Sequence, residues 1–167
     1  DFLREYPNTL YANKVYALMA DMYINRKNYK AAFEALTEVK NPDGKMYETM
    51  QYLRYQMGID AFLRGNMQES IKWMSQVIDN EQQITDYKTD AYFVRAESKY
   101  RLLKYAECLE DVELYEKQPN LDDSRNYVAS LYLKGYALFN QQMLEESKYA
   151  FQQHIQKADN KQHTYSD

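Results

Sequence analysis

The sequence predicts an all-α fold: a solenoid of about four stacked helical hairpins. Three observations predict it. Glycine and proline are scarce, a set of small and bulky residues recurs along the whole chain, and turn and cap residues fall where that recurrence requires breaks. With 4 glycines and 3 prolines in 167 residues, the chain lacks the tight-turn residues that an all-β fold needs. Hydrophobic residues make up 45%, enough for a packed core and too many for a disordered chain.

The recurrence is anchored on four small residues, Ala20, Gly58, Ala96 and Gly135, spaced 38, 38 and 39 residues apart. A large residue lies nine positions after each: Tyr29, Met67, Tyr105 and Leu144. Another small residue lies twelve after: Ala32, Ser70, Cys108 and Ser147. An apolar residue lies sixteen after: Leu36, Met74, Val112 and Phe151. A small residue on one helix facing a small residue on the next lets two backbones approach closely, and the large residues then fill the flanks.

The elements follow in order. Helices are expected over 11–25 and 28–40, broken at Arg26-Lys27-Asn28. The connector Asn41-Pro42-Asp43-Gly44 combines turn residues with a helix cap. Helices over 46–64 and 67–79 break at Arg64-Gly65-Asn66, and helices over 86–102 and 105–118 break at Leu103-Lys104. Pro119-Asn120 and Asp122-Asp123-Ser124 stop one hairpin and cap the next. The last pair, 125–141 and 144–158, breaks at Gln141-Gln142.

A small residue, a tyrosine nine later, a small residue twelve later and a bulky apolar residue sixteen later resemble the tetratricopeptide repeat (TPR). Tyr92 to Ala96 followed by Tyr105 to Asp111 reads closest to that pattern. The resemblance covers nearly the whole chain. It implies a right-handed superhelix whose first helices line a concave groove, with protein–protein binding as the function. The period exceeds the usual 34 residues of the family, and the excess is assigned to longer helix ends and connectors. The opening Phe2-Leu3-Arg4-Glu5-Tyr6-Pro7-Asn8-Thr9-Leu10-Tyr11-Ala12 resembles repeat joints of TPR proteins of the bacterial cell envelope. It is read as the end of a preceding repeat, with residues 1–167 forming one TPR-like domain of a longer protein. The same likeness favours a periplasmic or outer-membrane-associated setting, with the cytoplasm as the alternative.

Charge excludes other classes. The net charge is −4, from 21 basic and 25 acidic residues, with no basic run, so nucleic acid is not the expected partner. No stretch approaches the roughly 20 apolar residues of a membrane-spanning helix. Catalytic patterns are missing: there is no phosphate loop and no nucleophile elbow. No cofactor or metal is expected. His154 falls in a helix-packing column with Val39, Val77 and Tyr115, and His163 lies in the polar tail. Cys108 occupies a small-residue column and reads as a buried, inert thiol. Glu110-Asp111 are adjacent and so face different sides of their helix. Trp73 is expected to pack between hairpins.

The candidate site is the stripe at −3, +1 and +4 from each anchor. It comprises Ala17, Asp21 and Ile24; Tyr55, Ile59 and Phe62; Phe93, Glu97 and Tyr100; and Tyr132, Tyr136 and Phe139. By the family resemblance this stripe lines the groove, and its aromatics suit an extended peptide or an amphipathic helix. The rings of Tyr55, Phe62, Phe93, Tyr100, Tyr132 and Phe139 are expected on the concave side, with several reachable by solvent. The lysine and asparagine clamp with which some TPR domains hold acidic chain ends is absent from these places. The expected role is a scaffold for a protein or peptide partner, with self-association through open solenoid ends as a second mode. An architectural spacer, the sensor arm of a larger regulator, and carbohydrate capture by the aromatic stripe are the alternatives.

Overall fold

The computed structural model describes residues 11–85, 87–119, 121, 124 and 126–164. The described residues form eight α-helices and no strand. They are α1 (Ala12–Asn25), α2 (Tyr29–Thr37), α3 (Gly44–Leu63), α4 (Met67–Ile78), α5 (Lys88–Arg101), α6 (Tyr105–Glu116), α7 (Tyr127–Asn140) and α8 (Leu144–Thr164). Every helix packs on its sequence neighbours, and the first helices α3, α5 and α7 also touch in succession. Contacts confined to neighbouring hairpins define a solenoid, in which these first helices form a continuous row. None of the helices is long and apolar enough to cross a membrane. The segment 2–6, expected to pack on the first hairpin, lies outside the described residues. Tyr11, at the N-cap of α1, and Leu18 and Met22 on α1 are exposed.

The hairpin turns repeat as faithfully as the core. Lys27, Gly65, Leu103 and Gln142 each lie seven residues after an anchor, and all four adopt positive φ, at 56°, 79°, 61° and 62°. The residue after each donates its N–H back across the turn: Asn28 to the Tyr23 carbonyl, Asn66 to Ala61, Lys104 to Lys99 and Met143 to Leu138. This is a left-handed helix stop that satisfies otherwise orphaned carbonyls. One of the four copies is glycine; the others carry a Cβ in a conformation that costs about 1–2 kcal/mol. Leu103 is 70% exposed, so its side chain contributes little packing. Leu103→Gly is therefore expected to raise stability by about 1 kcal/mol, measured as an increased urea midpoint at unchanged slope. After the turn, Asn28 and Asn66 accept from the backbone N–H groups of Ala31 and Glu69 and so cap α2 and α4.

The anchors sit where the helices of each pair come closest. Ala20, Ala32, Ala96 and Cys108 are each no more than 1% exposed, and Ser147 Oγ donates 2.8 Å to the carbonyl of Gly135. The glycine anchors face the apolar residue sixteen positions on. A Cβ on Gly58 would fall 2.6 Å from Met74 Cε, and one on Gly135 would fall 2.6–2.8 Å from three ring carbons of Phe151. A thioether end can swing aside, whereas a packed ring cannot. Gly135→Ala is thus expected to cost about 1–3 kcal/mol by overpacking, and Gly58→Ala distinctly less; paired chemical denaturation curves give the comparison.

Successive hairpins are joined by buried polar groups as well as apolar ones. Ser98 Oγ, on α5, donates to the Val94 carbonyl at 2.8 Å and lies 3.2 Å from Ser70 Oγ on α4. Asp111, on α6, is 1% exposed and holds two cations from α5. Arg95 Nε and Nη2 donate to its two oxygens at 2.9 and 2.6 Å, and Lys99 Nζ lies 2.8 Å away. The remaining arm of Arg95 donates to Ser75 Oγ of α4 at 3.0 Å. One carboxylate thereby ties α4, α5 and α6 together. Sequence reading weighed Asp111 only as half of an acid pair and missed this role. The available signal was Arg95 and Lys99 spaced i, i+4, which places both cations on one face of α5.

Candidate partner-binding groove

The inner stripe does not behave uniformly. Tyr55, expected to present its ring, is 6% exposed and belongs to the core. Tyr87, held at φ 63° just before α5, stacks on it at 4.8 Å with the planes 20° apart. The Tyr55 hydroxyl donates to Asp90 at 3.4 Å, and Asp90 also accepts from Asn126 at 2.8 Å. That chain of bonds links the middle of α3 to the starts of α5 and α7. Tyr55 is therefore a packing residue, not a groove residue. Ile59 and Phe62 are half-buried against the same core, and Arg101 lies 4.3 Å over the Phe62 ring.

Further along, the stripe opens. Phe93, Glu97, Tyr100, Arg101, Ala129, Tyr132, Leu133 and Tyr136 line a groove of about 330 Å³ between α5 and α7. Phe93 and Tyr100 form one wall, each steadied from behind by an α6 tyrosine: Tyr115 at 6.0 Å and Tyr105 at 5.5 Å. The opposite wall is held rigid by α8. Tyr136 meets Phe151 edge to face at 5.1 Å, and Tyr132 packs on Phe151 at 5.9 Å and on His154 at 5.2 Å. The hydroxyl of Tyr132 donates to that of Tyr136 at 3.2 Å. That bond is the leading cause of the raised pKa of Tyr132. At the rim Glu97 pairs with Arg101 at 2.6 Å. The site is thus aromatic and close to charge-neutral.

Exposure along the stripe rises toward the last hairpin. Tyr132 is 47% exposed, Tyr136 38% and Phe139 57%. Phe139 continues the stripe one turn beyond Tyr136, outside the groove's lining. Ala17 and Ile24 of the first hairpin are half-buried, and Asp21 is exposed.

The groups weighed for chemistry serve packing. His154 Nδ1 lies 2.8 Å from the Val128 carbonyl, tying α8 to α7. Burial, with the Asp111 carboxylate nearby, pushes the Cys108 thiol up to about 12, which leaves it protonated and unreactive. Trp73 meets Phe33 of the first hairpin edge to face at 5.8 Å. Among the described residues no three His, Cys, Asp or Glu side chains gather as a metal site would require.

No protein-family profile and no curated protein matches the chain. Among solved structures it is similar to a crystal structure of MamA, with a TM-score of 0.58 at 15% identity, covering 95% of this chain and 84% of that one. A second MamA crystal structure gives a TM-score of 0.53 at 14% identity over 92% and 95% of the two chains. At such identity the likeness concerns the fold: the chain has the architecture of a TPR-like helical solenoid.

Proposed function

We propose that the protein is a scaffold that holds a segment of another protein in the aromatic groove between α5 and α7. The observation that carries this reading is the run Tyr132, Tyr136 and Phe139. Three large aromatic side chains stand exposed on successive turns of one helix, beside a groove that no described residue fills. Soluble proteins seldom leave such a patch uncovered without a partner for it. Rigid rings backed by a second layer suit binding, because they lose little conformational freedom when an apolar side chain docks between them. A partner segment with apolar residues at i, i+3 or i+4 spacing, or an extended strand with alternate apolar residues, matches the groove. Its neutrality disfavours strongly charged peptides. The open groove also favours binding over the purely architectural role.

The test is selection of peptides that bind the intact chain, with Tyr132→Ala/Tyr136→Ala as counter-selection. Peptides that share an apolar spacing and bind only the unmodified chain are the expected outcome. Peptides that bind both chains equally would move the binding surface elsewhere.

A further inference from the structure

The walls of the aromatic groove follow α5 from Phe93 to Arg101 and α7 from Ala129 to Tyr136. Each wall therefore extends about two helical turns, roughly 10–12 Å at 1.5 Å per residue. The ring faces of Phe93, Tyr100, Tyr132 and Tyr136 dominate it. Its charged residues, Glu97 and Arg101, neutralise each other at 2.6 Å.

The polar groups left over are hydrogen-bond donors. Tyr132 donates its proton to the Tyr136 oxygen at 3.2 Å, which leaves the Tyr136 proton without an acceptor among the described residues. The Tyr100 hydroxyl likewise meets no acceptor there. Both are within reach of a ligand: Tyr136 is 38% exposed, and the Tyr100 oxygen is open to solvent although its ring is half-buried. The Tyr100 phenol interacts electrostatically with those of Tyr132 and Tyr136, so the three hydroxyls gather along one stretch of the groove.

These donors discriminate between backbone forms. An α-helix has its interior carbonyls already bonded within itself, so docking one would strip water from the phenol protons and return no partner. A β-strand brings free carbonyls but also N–H groups, for which the groove is poorly equipped. The Glu97 carboxylate is paired with Arg101, and the Tyr136 oxygen already accepts from Tyr132. A proline-rich segment in the polyproline II form meets neither difficulty. Its carbonyls carry no internal hydrogen bonds, its prolines have no N–H, and such segments dock in aromatic-lined grooves. The spacing agrees. Phe93 and Tyr100, seven residues apart on α5, are separated by about 10.5 Å along the axis. Residues three apart in polyproline II are separated by about 9 Å.

Given the partner-binding role of this groove, on which this reading rests, we infer that its occupant is a proline-rich segment in the polyproline II form. Prolines three apart lie on Phe93 and Tyr100, and backbone carbonyls accept from the hydroxyls of Tyr100 and Tyr136. The neutrality of the groove matches a segment without strong charge.

The experiment is a fluorescence-anisotropy titration of the intact chain with labelled decaproline. Two labelled controls accompany it, an amphipathic leucine–lysine–glutamate helix and an alternating threonine–valine strand. Decaproline is expected to bind about tenfold or more tightly than either control, and Tyr132→Ala/Tyr136→Ala should abolish its binding. Tyr100→Phe/Tyr136→Phe, which keeps every ring, should weaken decaproline by about tenfold and leave the controls unchanged. Circular dichroism establishes that each variant is folded; should the alanine pair fail to fold, the phenylalanine pair decides. If the helix or the strand binds through Tyr132 and Tyr136 and decaproline does not, the proline-rich assignment is overturned while the groove stands as a binding site. Absence of decaproline binding to about 1 mM overturns the assignment whatever the controls do. It is equally overturned if decaproline binds the folded alanine pair, or the phenylalanine pair, as well as it binds the unmodified chain.

Discussion

Asp111→Ala is expected to destabilise the protein by about 3–5 kcal/mol, read as a lowered urea midpoint at unchanged slope. The carboxylate is 1% exposed, and it neutralises Arg95 and Lys99, whose side chains are each 12% exposed. Removing it leaves two cations in a site that water scarcely reaches, and the penalty of stranding them exceeds the net worth of the pairs themselves. The triad also fixes position: Arg95 spends its remaining donors on Ser75 of the preceding hairpin, so its loss loosens the junction of the second and third hairpins. The exposed pairs Arg101–Glu97 and Lys104–Glu107 are the internal control. Alanine at Glu107 should cost under about 1 kcal/mol. A cost that small for Asp111→Ala would mean that solvent enters the triad freely and that the three hairpins are held by apolar packing alone. The double replacement Arg95→Met/Asp111→Leu should cost less than Asp111→Ala, because it strands fewer charges.

The hairpin register was legible because it rests on side-chain volume, which a sequence states openly. The small anchors, their small partners and the bulky residues sixteen on could be aligned by eye, and the helices end within two residues of expectation everywhere except α2, which stops at Thr37, and the extension of α8 to Thr164. The left-handed turn residues were not legible. Glycine marks that conformation in one copy, while lysine, leucine and glutamine in the others give no hint of it. Arg26-Lys27, Leu103-Lys104 and Gln141-Gln142 could be placed only as breaks. Buried charge was illegible for a related reason: Asp111 in isolation looks like any surface acid, and its burial arises from the stacking of a third helix.

The stripe itself was legible by spacing, but its exposure was not. Burial of Tyr55 depends on Tyr87, a connector residue outside every repeat column. The gradient from buried Tyr55 through half-buried Phe93 to exposed Tyr132 has a simple cause. Each first helix is flanked by the next one, and among the described residues α7 has no following first helix to cover it.

Tyr132→Ala combined with Tyr136→Ala is expected to weaken capture of a groove-binding segment by about a hundredfold or more, at largely retained helicity. Buried aromatic anchors contribute on the order of 2 kcal/mol each when they act as hot spots, which is about thirtyfold apiece. The two rings touch each other at 4.7 Å, so their effects need not add and the double variant sets a lower bound for the pair. These two positions separate binding from folding better than Phe62, which packs against the core beneath Arg101. Some stability will also be lost, because both rings support Phe151; about 1 kcal/mol is expected for the lost aromatic contacts. Tyr132→Phe supplies the control. It keeps the ring and removes only the hydroxyl bonded to Tyr136, so it should bind nearly as well as the unmodified chain. Isothermal titration with a selected peptide, alongside chemical denaturation of each variant, gives both numbers. Normal affinity in a double variant that melts much lower would assign these rings to the α7–α8 packing, and the binding surface would then have to be sought on the outer helices or the connectors.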